Sequence, residues 1–137
     1  ALVRKEYACI ASDGIGYGFE NRDPFDLPHP RSFGAFPQAL EMFGKSEKPM
    51  PLEELVHKMT ELPASILGLQ KRGKLVEGRA GDIVVFDPAR LASPANYLNP
   101  FAPPLGIDWV LVNGKFAVEE GAFTGGMHGA VLRKVEK

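Results

Sequence analysis

Apolar residues cluster at residues 7–11 and stop abruptly at Ser12, Asp13 and Gly14. Asp-Gly is a turn signal, so the run predicts a strand that ends there. Side chains alternate between the faces of a strand, which would put Tyr7, Cys9, Ala11 and Asp13 on one side. Beyond Asp13 the apolar rhythm is lost. Gly14, Gly16, Gly18, Pro24, Pro28 and Pro30 predict a long loop that also carries His29 and leads to Arg31. Long ordered loops in compact domains are often functional.

From residue 32 to residue 72 the period changes to that of helices. Phe36, Leu40 and Phe43 fall on one side of a helix, with Pro37 in its first turn and Gly44 at its end. A second helix is predicted from Pro51, with Leu52, Leu55, Val56 and Met59 as its buried stripe and Glu53 and Glu54 near the positive end of its dipole. Thr60 is placed to cap a third, short helix that begins at Pro63 and stops at Gly68.

Residues 73–137 are β-type. The continuous apolar run 83–86 predicts a strand buried on both faces. Asn113-Gly114 between 109–112 and 115–118 predicts a two-residue hairpin with a type I′ turn. Glu120-Gly121 predicts the next turn, and 130–135 a last short strand. Residues 88–106, with five prolines, read as a connecting loop.

Composition narrows the class. The 137 residues suit one domain with a real core. Hydrophobic content of 45% and charged content of 24% are those of an ordinary globular protein. A net charge of −1 gives no reason to expect nucleic acid or an anionic membrane as partner. The lone cysteine excludes an internal disulfide framework and a cysteine-based zinc site, and fits a cytoplasmic protein. No apolar run is long enough to span a bilayer. The chain starts at Ala1, directly before a strand-like run, as a fragment or processed product would.

Three titratable positions stand out. Asp13 would project from the C-terminal end of a strand, where α/β barrels place catalytic groups, although an Asp before Gly alone is more simply a turn residue. His29 sits between two prolines and could orient Arg31 or bond a loop carbonyl. Arg31 could grip a carboxylate or stay solvated. His57 and His128 are expected to be surface residues, Cys9 a small buried thiol, and Asp82 a turn residue ahead of the 83–86 strand.

Together, several motifs resemble the amidohydrolase superfamily. Thr60-Glu-Leu-Pro63-Ala64, Gly68-Leu69 and Gly73-Lys-Leu-Val-Glu-Gly78-Arg-Ala-Gly81-Asp82-Ile-Val-Val-Phe-Asp87 are similar to its passage from the last barrel helices into a small β-sandwich. Val110-Leu-Val-Asn113-Gly114-Lys115 resembles the hairpin that follows, and Ser12-Asp13-Gly14 the end of the eighth barrel strand. His29-Pro30-Arg31, followed by Phe33-Gly34 and Phe36-Pro37, resembles the D-aminoacylase (N-acyl-D-amino-acid deacylase) branch.

The resemblance implies an α/β fold: the last strand and helices of a metal-dependent (β/α)8 barrel in residues 1–72, then part of a small β-sandwich in residues 73–137. It implies deacylation of N-acyl-D-amino acids by water activated on Zn²⁺. Asp13 would be the proton carrier and a possible metal ligand, and Arg31, with His29, would bind the substrate's carboxylate. A zinc-bound water has its pKa lowered toward ~7, so a nearby carboxylate can take its proton. The superfamily's His-x-His motif and mid-barrel ligands are not in this sequence, and a whole barrel needs ~250 residues. The isolated chain is therefore expected to be inactive, to bind no zinc alone, and to need the N-terminal remainder of its enzyme or to self-associate. A dihydropyrimidinase-like cyclic-amide hydrolase and a non-catalytic β-rich binding module are the rival readings.

Overall fold

The helices form where the apolar spacing places them. The computed structural model describes residues 2–18 and 27–133. In it α1 runs Arg31–Gly44, α2 Leu52–Met59 and α3 Glu61–Leu67. α1 starts ahead of Phe36, so Pro37 lies inside the helix and not in its first turn. The early start belongs to Pro30, whose backbone is already helical (φ −53°, ψ −24°) and whose carbonyl accepts the Gly34 N–H at 3.0 Å. α2 keeps acidic residues in its first turn and His57 and Lys58 in its last, as the dipole favours. α3 begins at Glu61, after Thr60. The Thr60 hydroxyl does not cap it and instead donates to Val56 O at 2.7 Å. The helix stops, as expected, at Gly68 in the left-handed conformation (φ 73°).

The C-terminal half is a four-stranded antiparallel meander in chain order: β1 Ile83–Phe86, β2 Ile107–Val112, β3 Lys115–Glu119 and β4 Ala122–Phe123. Asn113 (φ 53°) and Gly114 (φ 77°) are both left-handed, the signature of the type I′ turn. Glu120 (φ 49°) and Gly121 (φ 78°) repeat it between β3 and β4. β1 departs from expectation. Among the described residues it is an edge strand paired only with β2, and Val84 and Val85 are 52% and 43% exposed, so it is not buried on both faces. Residues 130–133 form no strand, and 134–135 lie outside the described residues.

Burial concentrates elsewhere. Ala39, Met50, Leu55, Ala64, Leu91, Phe101 and Ala102 form the core, with Pro100 fully buried beside them. Four of these eight come from residues 88–106, so the proline-rich connector covers the helices. An isolated bridge between Ala92 and Leu105 pins its two ends together. Gly106 (φ 75°) lets them close, since a Cβ there would lie 2.7 Å from the Arg90 carbonyl carbon.

Residues 7–11 do not form a strand here. Residues 8–18 have no regular structure, and Tyr7 is 72% exposed. A strand needs a neighbour to complete its ladder, and among the described residues none lies alongside. The segment docks on the end of α2 instead. The Ile10 N–H donates to Lys58 O at 2.9 Å, and the Lys58 ammonium donates to Lys5 O at 2.7 Å and Ala8 O at 3.3 Å. Lys58 is 2% exposed, and Glu54 lies 3.9 Å from its ammonium. Lys58→Met should therefore destabilise the chain by about 1.5–3 kcal/mol, the worth of a charge-assisted hydrogen bond. Urea unfolding measures this, and an unchanged midpoint would show that the ammonium contributes nothing net.

A second polar junction ties the sheet to the segment after α3. Arg72 donates to the Asp82 carboxylate and, at 2.7 Å, to Asn113 Oδ1. Asp82 also accepts the Asn113 N–H at 2.8 Å. Desolvation pushes the Asp82 carboxyl upward, but the Asn113 N–H and the Arg72 guanidinium outweigh it and hold the group below its ordinary value of 3.8. The stabilisation is therefore complete above that value and is lost as pH falls through the lower folded-state value. Asp82→Asn should flatten the acid limb of a stability–pH curve below about pH 4, and an unaltered limb would assign acid unfolding to other groups.

Candidate active site around Asp13

Asp13 occupies a conformation that most side chains avoid. Its φ is 48°, and among the described residues the other two non-glycine positions with positive φ, Asn113 and Glu120, sit in hairpin turns. Asp tolerates this region better than most residues do. The turn is held locally by the Gly14 N–H, which donates to Ser12 Oγ at 3.2 Å. It is held from outside by a close approach: a Cβ on Gly14 would lie 2.9 Å from the Ser32 Cα, in the first turn of α1. The missing side chain thus seats Asp13 beside the start of the helix.

That helix start carries the other two candidates. Arg31 Nη2 lies 2.9 Å from Asp13 Oδ2, with the two side chains 44% and 84% exposed. His29 Nδ1 accepts the Arg31 backbone N–H at 3.1 Å. Asp13, His29 and Arg31, singled out in the sequence one by one, are thus brought together in space.

A fourth residue joins them that the sequence reading left inside a connecting loop. Tyr97 Oη is 2.9 Å from His29 Nε2, and the two rings meet edge to face at 5.1 Å. The loop bearing Tyr97 is organised by Asn96, whose Oδ1 accepts the N–H groups of Leu98 at 2.9 Å and Asn99 at 3.0 Å. It docks on α1 through the Ser93 N–H, which donates to Glu41 Oε2 at 2.9 Å. Gly34 permits that docking, because a Cβ there would lie 2.1 Å from Ser93 Oγ. Tyr17, Phe33 and Phe101 pack as an aromatic cluster, with centroids 5.5–6.5 Å apart. Phe33 thus joins α1 to the loop at Tyr17 and to the buried Phe101 of the connector. The one sequence signal for Tyr97 is Asn96, an Asx-turn residue within a proline-rich stretch.

The remaining candidates lie elsewhere. His57 Nδ1 is 3.4 Å from Glu61 Oε2 on the surface of α2 and α3. His128 contributes its backbone carbonyl to Asn113 Nδ2 at 2.6 Å. Cys9 is exposed, not buried, because the segment that carries it is not enclosed by neighbouring strands. Asp82 serves the junction at the sheet, as a structural residue. A cavity of about 160 Å³ between α1, α2 and β1 is lined mainly by apolar side chains, including Leu40, Met50, Leu55 and Phe86, and holds none of the site residues. Among the described residues no group of three His, Cys, Asp or Glu side chains is close enough to hold a metal, and no helix is long and apolar enough to cross a membrane.

Comparison with known proteins places the chain in a family. The amidohydrolase family profile matches residues 21–118. The chain is 41% identical over 125 residues to a D-aminoacylase of Alcaligenes xylosoxydans xylosoxydans, covering 91% of this chain and 24% of that protein. A crystal structure of D-aminoacylase, described as defining a novel subset of amidohydrolases, superposes with a TM-score of 0.73 at 40% identity, over 86% of this chain and 23% of the other. An N-acyl-D-glutamate deacylase of Bordetella bronchiseptica, complexed with zinc and a phosphonate mimic of the tetrahedral intermediate, gives 0.68 at 36% identity, over 83% and 23%. The chain belongs to the amidohydrolase family, in its D-aminoacylase branch. It spans about a quarter of the length of these relatives.

Proposed function

We propose that this chain is the C-terminal portion of a hydrolase that deacylates N-acyl-D-amino acids, with residues 1–72 closing a (β/α)8 barrel and residues 73–137 contributing to a β-sandwich. The observation that carries the reading is the 2.9 Å contact between Asp13 and Arg31. In an N-acyl amino acid the carboxylate is separated from the amide nitrogen by a single carbon. A site for such a substrate needs a proton carrier at the amide and a cationic fork beside it, and these two side chains meet that requirement.

The chemistry follows from the two groups. Arg31 receives the substrate's α-carboxylate on its guanidinium. Water adds to the amide carbonyl carbon while Asp13 takes its proton. The carbon–nitrogen bond then breaks as Asp13 returns a proton to the departing amine. The products are a carboxylic acid and a free D-amino acid. His29 holds the backbone of Arg31 in place.

Zinc is present in the related Bordetella complex. Here Asp13 is a single carboxylate with a guanidinium against it, and the described residues bring no further ligands to it. The described residues do not by themselves make a metal site. Zinc in the complete enzyme would be held by further residues, to which Asp13 can add one carboxylate.

The test is amine release by the full-length protein from matched N-acyl-D- and N-acyl-L-amino acids. Turnover of the D series with little on the L series is expected. Opening of a dihydropyrimidine ring with no release from either series would replace this reading with a cyclic-amide hydrolase.

A further inference from the structure

We propose that Tyr97 is a positioning residue for carboxylate recognition, acting through His29 on Arg31. The inference rests on the deacylase reading and adds a residue to it. His29 Nδ1 accepts the Arg31 N–H at 3.1 Å, so that nitrogen carries no proton. The proton of the neutral ring is then on Nε2, which donates to Tyr97 Oη at 2.9 Å. Turning the ring breaks both bonds, and moving its proton to Nδ1 breaks the one to Arg31. Because the Tyr97 loop is itself docked on α1 through Ser93 and Glu41, the ring is clamped between two parts of one framework. The Arg31 backbone at the start of α1 is held by that ring, and the guanidinium it carries lies 2.9 Å from Asp13.

Two features make this more than packing. Tyr97 is 72% exposed, so its hydroxyl contributes little to the core, yet it bonds the one ring nitrogen that the Arg31 N–H leaves over. The rings also meet edge to face at 78°, which keeps the imidazole plane oriented while the Arg31 N–H selects the tautomer.

Tyr97→Phe retains the ring contact and removes only the hydroxyl. In the full-length protein it should raise KM for an N-acyl-D-amino acid roughly fivefold, the scale of one lost hydrogen bond, with kcat nearly unchanged. For the matching carboxamide, which has no carboxylate to seat, kcat/KM should stay at the wild-type value. Nitrogen-15 NMR of His29 should show the Nε2–H tautomer in the wild type. Equal losses on both substrates, no loss on either, or an Nδ1–H tautomer in an active wild type would each overturn the proposal while leaving the deacylase reading intact. A wild-type protein that releases no amine from any N-acyl-D-amino acid would overturn that reading and this inference with it.

Discussion

Asp13→Asn in the full-length protein is expected to lower kcat by at least ~10²-fold, the low end of what a positioned acid–base group contributes. The substitution is close to silent in every other respect. Asn tolerates the left-handed backbone as well as Asp does, so φ 48° at this position is no obstacle. Its amide oxygen can still accept from Arg31, so the helix start keeps a partner there. The contact of Gly14 with Ser32 depends on the neighbouring residue and is untouched. What disappears is a group that can hold a proton between attack and departure of the amine. KM for an N-acyl-D-amino acid should therefore change little. Turnover within a few-fold of wild type would remove Asp13 from the mechanism.

Arg31→Lys should be the next most damaging change. Lys keeps the charge, so Asp13 keeps a cation nearby, but a point charge replaces the planar fork. Losing charge-assisted bonds of this kind predicts a fall in kcat/KM of roughly 10–100-fold on N-acyl-D-amino acids. The carboxamide analogues should lose far less, because they present no carboxylate to the fork. A similar loss on both substrates would make Arg31 a structural partner of Asp13 and leave substrate recognition to other residues.

Local chemistry made much of the fold legible in the sequence. Asn113-Gly114 specifies a turn by its own backbone preferences, and the structure has that turn. Gly68 ends a helix for the same reason, and Leu55 falls on the buried side of α2 because period and burial coincide there. The failures share one cause. Whether 7–11 becomes a strand depends on a neighbour far away in the chain, and an apolar run carries no record of it. β1 looked buried on both faces by composition, yet its position at the sheet edge is decided by pairing. Lys58 lies three residues after Leu55 on the same helical face, but a lysine there signals a solvated flank unless the backbone carbonyls of Lys5 and Ala8 are known to meet it.

The candidate site divides in the same way. Asp13, His29 and Arg31 were legible because each stands at a motif position, and their convergence was an implication of the family resemblance. Tyr97 was not legible. It reaches His29 across sixty-eight positions, from a stretch whose prolines mark it as a connector and whose buried Leu91, Phe101 and Ala102 show that it is part of the core.

The contact of Gly14 with Ser32 has an evolutionary corollary. The two residues are eighteen positions apart in the chain, yet a Cβ on one would lie 2.9 Å from the Cα of the other. The placement of the carboxylate beside the guanidinium is thus registered by a touch between backbones. A single methyl group at position 14 would wedge that pair apart. Selection should therefore refuse even an alanine there, although it adds neither charge nor polarity.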